Sequence, residues 1–168
     1  MEENLKNINF SCNIPQFNTI RVLQFNGKLY EDVVLSEKYK ESIAIERTDE
    51  GISICIKENT IIDTPLQIVN VIGEEKSPKI SSFSTVKLGR NSRLRLIHCD
   101  DSISEQSCDL TNKLSIEIED GASLDYYKME NINDYSAIST EVRFEMGKES
   151  KLTTFGLSLN GKLISNKI

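Results

Sequence analysis

Leu114-Ser115-Ile116-Glu117-Ile118-Glu119-Asp120-Gly121-Ala122-Ser123-Leu124-Asp125-Tyr126 decides how this chain folds. Leu114, Ile116 and Ile118 alternate with polar neighbours, the period of a strand with one buried face. Glu119-Asp120-Gly121-Ala122 interrupts the alternation as a turn, and Leu124 and Tyr126 resume it. The same phrase occurs three more times. Ile52, Ile54 and Ile56 precede Lys57-Glu58-Asn59-Thr60 and Ile62; Val86 and Leu88 precede Gly89-Arg90-Asn91-Ser92, Leu94 and Leu96; Val142, Phe144 and Met146 precede Gly147-Lys148-Glu149-Ser150 and Leu152. In every copy the last inward position and the first one after the turn lie six positions apart, and the copies recur every 32, 30 and 28 residues. A fixed period of this length marks a solenoid, whose units bury their apolar faces only against a stacked neighbour. The chain is therefore read as all-β, a β-helix with coils of about 30 residues. A meander or sandwich of hairpins is the structural rival. The small residue repeated at one turn position (Thr60, Ser92, Ala122, Ser150) favours stacked corners.

The rest of the sequence divides around these copies. Residues 1–50 do not follow the repeat and are read as an N-terminal capping segment over the first coil, because a bare stack end would expose strand edges. Within it Phe10, Cys12, Ile14 and Phe17 surround Pro15, Ile20–Phe25 alternates, and Asn26-Gly27 predicts a hairpin returning through Lys28-Leu29-Tyr30. Leu35–Ser42 is expected to form one short helix. Residues 51–168 are the β-helix core, with polar connections expected at 73–78, 100–105 and 129–134. Strand-like alternation in Gly156–Leu159, a turn at Asn160-Gly161 and a second strand to Ile168 read as a core truncated at its C-terminal end. Residues 157–168 are accordingly expected to fray or self-associate, making a homodimer one expected state.

Bulk properties exclude several classes. A net charge of −6, with no basic run, argues against nucleic-acid binding. Met1-Glu2-Glu3-Asn4 lacks a secretory n-region, and no apolar stretch reaches membrane-spanning length, so a cytoplasmic location away from membranes is expected. The four cysteines, at 12, 55, 99 and 108, form no C-x-x-C pair and are expected as free thiols, Cys55 facing away from Ile54 and Ile56.

Candidate chemistry is sparse. His98-Cys99-Asp100-Asp101 offers metal-ligand types, but His98 is the single histidine and adjacent strand residues face opposite sides. The segment reads instead as a strand end entering a polar loop. Glu117, Glu119, Asp120, Asp125 and Glu130 could serve a glycosidase only as a pair across a cleft, and their alternation reads as a solvated outer face. Tyr126-Tyr127 should place one ring inward and one outward. Nucleophile-elbow and phosphate-loop motifs are lacking. The residues therefore predict no catalytic, cofactor-binding or metal-binding site, and no stoichiometric zinc or iron–sulfur cluster on this chain.

Thr64-Pro65-Leu66-Gln67-Ile68-Val69-Asn70-Val71, Ser92-Arg93-Leu94-Arg95-Leu96-Ile97-His98-Cys99-Asp100, Ile116 through Lys128, and Leu159-Asn160-Gly161-Lys162-Leu163 together resemble the SufB/SufD family of iron–sulfur cluster assembly proteins. Phe10 through Thr19 is similar to the stretch leading into the core of SufD-type members. The resemblance spans about residues 8–168, with Ser165 standing where the family often has a basic residue. It implies a non-catalytic scaffold on a β-helix, paired with a SufB-like subunit and serving a SufC-like ABC ATPase. It places the cluster residues and the ATPase-docking helices in a C-terminal half outside this sequence, and so transfers no site residue. A secreted-type β-helix carbohydrate-active enzyme, or another β-solenoid binding module, is the alternative reading. The 28–32-residue period disfavours a left-handed hexapeptide acyltransferase.

Overall fold

The computed structural model describes residues 18–73, 79–102 and 107–168. The sequence around Pro15 and parts of two polar connections lie outside these residues. Twelve strands run in chain order: β1 Ile20–Phe25, β2 Lys28–Leu29, β3 Ile43–Arg47, β4 Ile52–Ile56, β5 Leu66–Ile72, β6 Lys79–Leu88, β7 Arg93–Ser102, β8 Asp109–Ile118, β9 Ser123–Asn131, β10 Ala137–Met146, β11 Lys151–Asn160 and β12 Leu163–Lys167. They form two six-stranded sheets, sheet A in the order β11-β9-β7-β5-β1-β2 and sheet B in the order β12-β10-β8-β6-β4-β3. Each coil crosses from sheet B to sheet A through one of the four repeated turns. The result is a β-solenoid of about four turns with coils of about 30 residues.

Neighbouring coils pair parallel and in register, with one irregularity between Ser158 and Asn160 of β11. In sheet A, Leu94, Leu124 and Leu152 stack into an aliphatic ladder. In sheet B, Ile54, Val86, Ile116 and Phe144 form a second inward column, and Ile56, Leu88, Ile118 and Met146 a third. Of the apolar positions named in the four copies, all are buried except Phe144, Met146 and Leu152. Phe144 and Leu152 are half-buried against the core. Met146 corrects the expectation: it is 51% exposed, because β12 covers only Ala137–Glu141 of β10 and nothing described lies over Met146.

The turns show why the stack closes. Their third residue is left-handed in every copy: Asn59 (φ 57°), Asn91 (54°), Gly121 (68°) and Glu149 (55°). Backbone bonds then run from turn to turn, Asn59 N to Arg90 O, Asn91 N to Asp120 O and Gly121 N to Lys148 O, at 2.7–3.0 Å. Asn91 also donates its side-chain amide to Asn59 Oδ1 at 3.1 Å. A side chain at Gly121 would meet Asn91 Oδ1 at 2.5 Å, so glycine there answers both conformation and space. The small fourth residue is explained too: Ser92 and Ser150 turn their hydroxyls back to the carbonyls of Gly89 and Gly147.

The residues before the repeat add the last strand or strands of each sheet. β1 continues sheet A parallel to β5, and Asn26-Gly27, both left-handed, returns β2 antiparallel as the predicted hairpin. β3 pairs antiparallel with β4 and ends sheet B. The helix expected over Leu35–Ser42 is instead a pair of consecutive turns, closed by Tyr39 N to Ser36 O and Ser42 N to Tyr39 O. Tyr39 is buried between them and takes the segment into the core, so packing overrides a weak local helix propensity. Two expected loops are also corrected. Asp100–Ser102 completes β7 and Met129–Asn131 completes β9.

Leu124→Ala should destabilise by about 2–5 kcal/mol in a denaturant titration, the range for a buried leucine with stacked neighbours. Glu149→Gly should act in the opposite direction. It removes the cost of a left-handed glutamate and should raise stability by about 1 kcal/mol in the same assay.

Candidate functional site

The interior is not apolar throughout. Along each strand it passes from the aliphatic columns near the turns to a belt of polar side chains, and then to a second apolar group containing Ile72, Leu110, Ile132 and Ile138. Two facing columns build the belt. Gln24, Asn70, Asp100, Glu130 and Ser158 are in register on sheet A, with Ile68, His98, Lys128 and Gly156 one inward step away. Ser82, Asn112, Thr140 and Asn166 are in register on sheet B. Because the strand period of two places alternate residues inside, each enters the belt at the same depth in successive coils.

The centre of the belt is an ion pair. Lys128 Nζ donates to Asp100 Oδ2, with side chains only 3% and 0% exposed. Asn70 Nδ2 donates to Asp100 Oδ1 at 2.9 Å. Burial on its own would push the Asp100 carboxyl up; the charge of Lys128 and the two hydrogen bonds outweigh this and hold it below the ordinary carboxylate value. His98 lies alongside, its Nε2 3.9 Å from Asp100 Oδ1. Burial, then the charge of Lys128, drives the imidazole down to about 3 against the pull of Asp100, so it is neutral. The hydrogen-bond network assigns its tautomer. Asn112 Oδ1 accepts from Ser82 Oγ at 2.9 Å, leaving Asn112 Nδ2 to donate to His98 Nε2 at 3.1 Å. Nδ1–H then faces Tyr126 Oη at 3.0 Å. Burial, with Asp100 and Glu130 nearby, keeps the Tyr126 phenol well above its ordinary value.

Glu130 is the second carboxylate of the belt. Its Oε2 accepts from Ser158 Oγ at 2.6 Å and Asn166 Nδ2 at 2.8 Å, tying both sheets together across the interior. Its Oε1 is 3.9 Å from Lys128 Nζ and makes no hydrogen bond.

These positions revise the reading of the candidate residues. His98 is not at a strand end: it lies within β7, 2% exposed, and Asp100 and Asp101 follow it into burial. Cys99 faces the other side of sheet A, in a cluster with Val69 and Val71, so the two neighbours do diverge. Glu130 leaves the solvated set, while Glu117 and Asp120 are exposed and Glu119 and Asp125 half-exposed. Glu117 and Glu119 share Lys87, at 3.2 and 2.8 Å, on the outer face of sheet B. Tyr126 points inward and Tyr127 outward. Cys55, Cys99 and Cys108 are free thiols. Sequence reasoning missed Lys128, Asn70 and Asn112. Their signal was present as polar residues standing in phase with the apolar alternation of their own strands.

The outer faces differ sharply. Sheet B carries charged columns with ion pairs such as Lys167–Glu141 at 2.9 Å. Sheet A carries apolar ones, Ile97-Tyr127-Phe155 beside Cys99-Met129-Leu157; all of these but the buried Cys99 line a shallow groove of about 300 Å³ with Pro65 and Arg95. Phe155 and Leu157 are 57% and 39% exposed. Among the described residues no helix is long and apolar enough to cross a membrane. Compared with protein-family models, curated proteins and solved structures, the chain has no match.

The belt predicts acid lability. The unfolded chain binds a proton at His98 below about pH 6.5, which the native imidazole does not take until about 3. Stability is therefore fully present above 6.5 and falls as pH drops towards 3, with a slope approaching about 1.4 kcal/mol per pH unit. Asp100, held low, adds loss in the same direction below the ordinary carboxylate value. Urea midpoints measured from pH 7.5 to 4 should show this decline, and His98→Gln should flatten it between pH 6.5 and 4.5. Lys128→Met, which leaves Asp100 buried without its partner, should cost about 3–5 kcal/mol at pH 7.

Proposed function

We propose that this chain is a SufD-like, non-catalytic scaffold that pairs with a SufB-like subunit and serves a SufC-like ABC ATPase in cytoplasmic iron–sulfur cluster assembly. The ordered motifs from Thr64 to Leu163 supply the family resemblance. The structural observation that carries the scaffold reading is the apolar outer face of sheet A. Exposed Phe155 and Leu157 continue columns from Ile97 and Met129, a contiguous surface of the kind used for protein contacts. The belt's chemistry-bearing groups favour the same reading. Asp100, Lys128 and His98 hold one another inside the wall, where no substrate of ordinary size reaches them. On sheet B, Glu117 and Glu119 are both ion-paired to the same Lys87, which ties up the acidic pair that the carbohydrate-enzyme alternative would need.

The experiment is copurification of the chain with a SufB-like subunit. A stable complex is expected, and Phe155→Glu with Leu157→Glu should weaken it at least tenfold, while the isolated variant melts within about 4 °C of the parent, the shift of one kcal/mol at this size. Absence of a complex, or cleavage of a polysaccharide panel by the purified chain, would overturn the reading.

A further inference from the structure

Glu130 has no counter-ion of its own. The belt holds two carboxylates, Asp100 and Glu130, and one ammonium, Lys128, while His98 is neutral. Lys128 bonds directly to Asp100, and those two charges cancel. Ser158 and Asn166 solvate Glu130 Oε2 without neutralising it. A single negative charge thus remains in a side chain with no exposed surface, a costly state in a low-dielectric interior unless something balances it.

A second buried oxygen stands nearby with the same deficit. Thr140, 1% exposed, has no hydrogen-bond partner at Oγ1. It is the register neighbour of Asn166 on the sheet B column that the Glu130 carboxylate reaches across the interior. Glu130 and Thr140 thus both adjoin Asn166 of the last layer of the belt, one through a hydrogen bond and the other through strand pairing, and each keeps an unpartnered oxygen. Ser158 and Asn166, which close that layer, are themselves exposed residues, so the layer lies one side chain beneath the surface.

We propose that Glu130 Oε1 and Thr140 Oγ1 hold a small monovalent cation, Na⁺ or K⁺, beneath Ser158 and Asn166. The donors are hard oxygens, which suit such ions and not zinc or iron. The charge selects monovalent over divalent: one carboxylate is uncompensated, and Lys128 Nζ, 3.9 Å from Oε1, would repel a doubly charged ion more strongly. No group of three His, Cys, Asp or Glu side chains suited to a divalent metal occurs among the described residues. The site does not depend on the scaffold reading.

The test is thermal unfolding of the full chain in NaCl, KCl or choline chloride at one ionic strength, choline being too large to enter. Na⁺ or K⁺ should raise the midpoint saturably, by about 2–4 °C at roughly five times its Kd. Whichever salt acts identifies the ion. Glu130→Gln should abolish the effect, and Thr140→Val should raise the half-saturating concentration several-fold. Should Glu130→Gln fail to fold, ²⁰⁵Tl NMR of the parent chain decides, with a bound Tl⁺ resonance displaced by excess K⁺ or Na⁺ expected. Equal midpoints in choline, no bound Tl⁺ resonance, or a cation effect that survives in Glu130→Gln would overturn the site and leave an interior water as the occupant.

Discussion

Rung-to-rung register is the constraint on which everything else in this protein depends. A strand in a parallel stack has no freedom to choose its own neighbours. Once the turn fixes where it starts, every inward residue sits on the corresponding residue of the coil below. The left-handed third position of the turn sets that start. Asn59, Asn91, Gly121 and Glu149 bend the chain at one point, and the backbone bonds between turns hold successive bends above one another. Ladders of like residues then follow without further instruction. Leu94, Leu124 and Leu152 meet because their turns meet.

The same constraint explains what was readable in the amino-acid sequence and what was not. Turns and apolar alternation are local signals, and the repeat multiplied them fourfold, so the solenoid and most of its core were legible. The belt was not, because its logic is non-local. Asp100 and Glu130 look like loop residues in their own segments, where an acidic residue following Cys99 or Met129 resembles the start of a connection. Only the pairing of β7 with β9, about 30 residues apart, reveals that Lys128 stands over His98 and beside Asp100. Met146 failed for a related reason. Its alternation is sound, but burial also needs a coil above, and β12 stops short of it.

A conflict between local and tertiary preference also decided the capping region. Leu35–Ser42 has a composition compatible with a helix, yet the chain there must deliver Tyr39 into the core and start β3 antiparallel to β4. Two tight turns achieve this in eight residues. The hydroxyl of Tyr39 meets Thr64 Oγ1 at 3.1 Å, fastening the cap to the connection before β5. Local propensity of a few tenths of a kcal/mol per residue is easily outweighed by burying an aromatic ring.

The belt and the aliphatic columns divide the work of specifying the stack. Aliphatic columns stabilise but discriminate poorly: a slip by one coil sets leucine on leucine again, as along Leu94, Leu124 and Leu152. The belt does not repeat. Its column reads Asn70, Asp100, Glu130, Ser158 on one line and Ile68, His98, Lys128, Gly156 on the next. A one-coil slip would put the coil carrying Lys128 where Gly156 now lies and strip Asp100 of its partner. Leaving one buried charge unpaired costs about 3–5 kcal/mol, and the slipped leucine columns, no better packed than before, return nothing to offset it. A buried ion pair is weak evidence of stability, since an apolar pair of equal volume often does as well. Here its non-repeating place among repeating columns gives it a different consequence: only one alignment of the coils satisfies it.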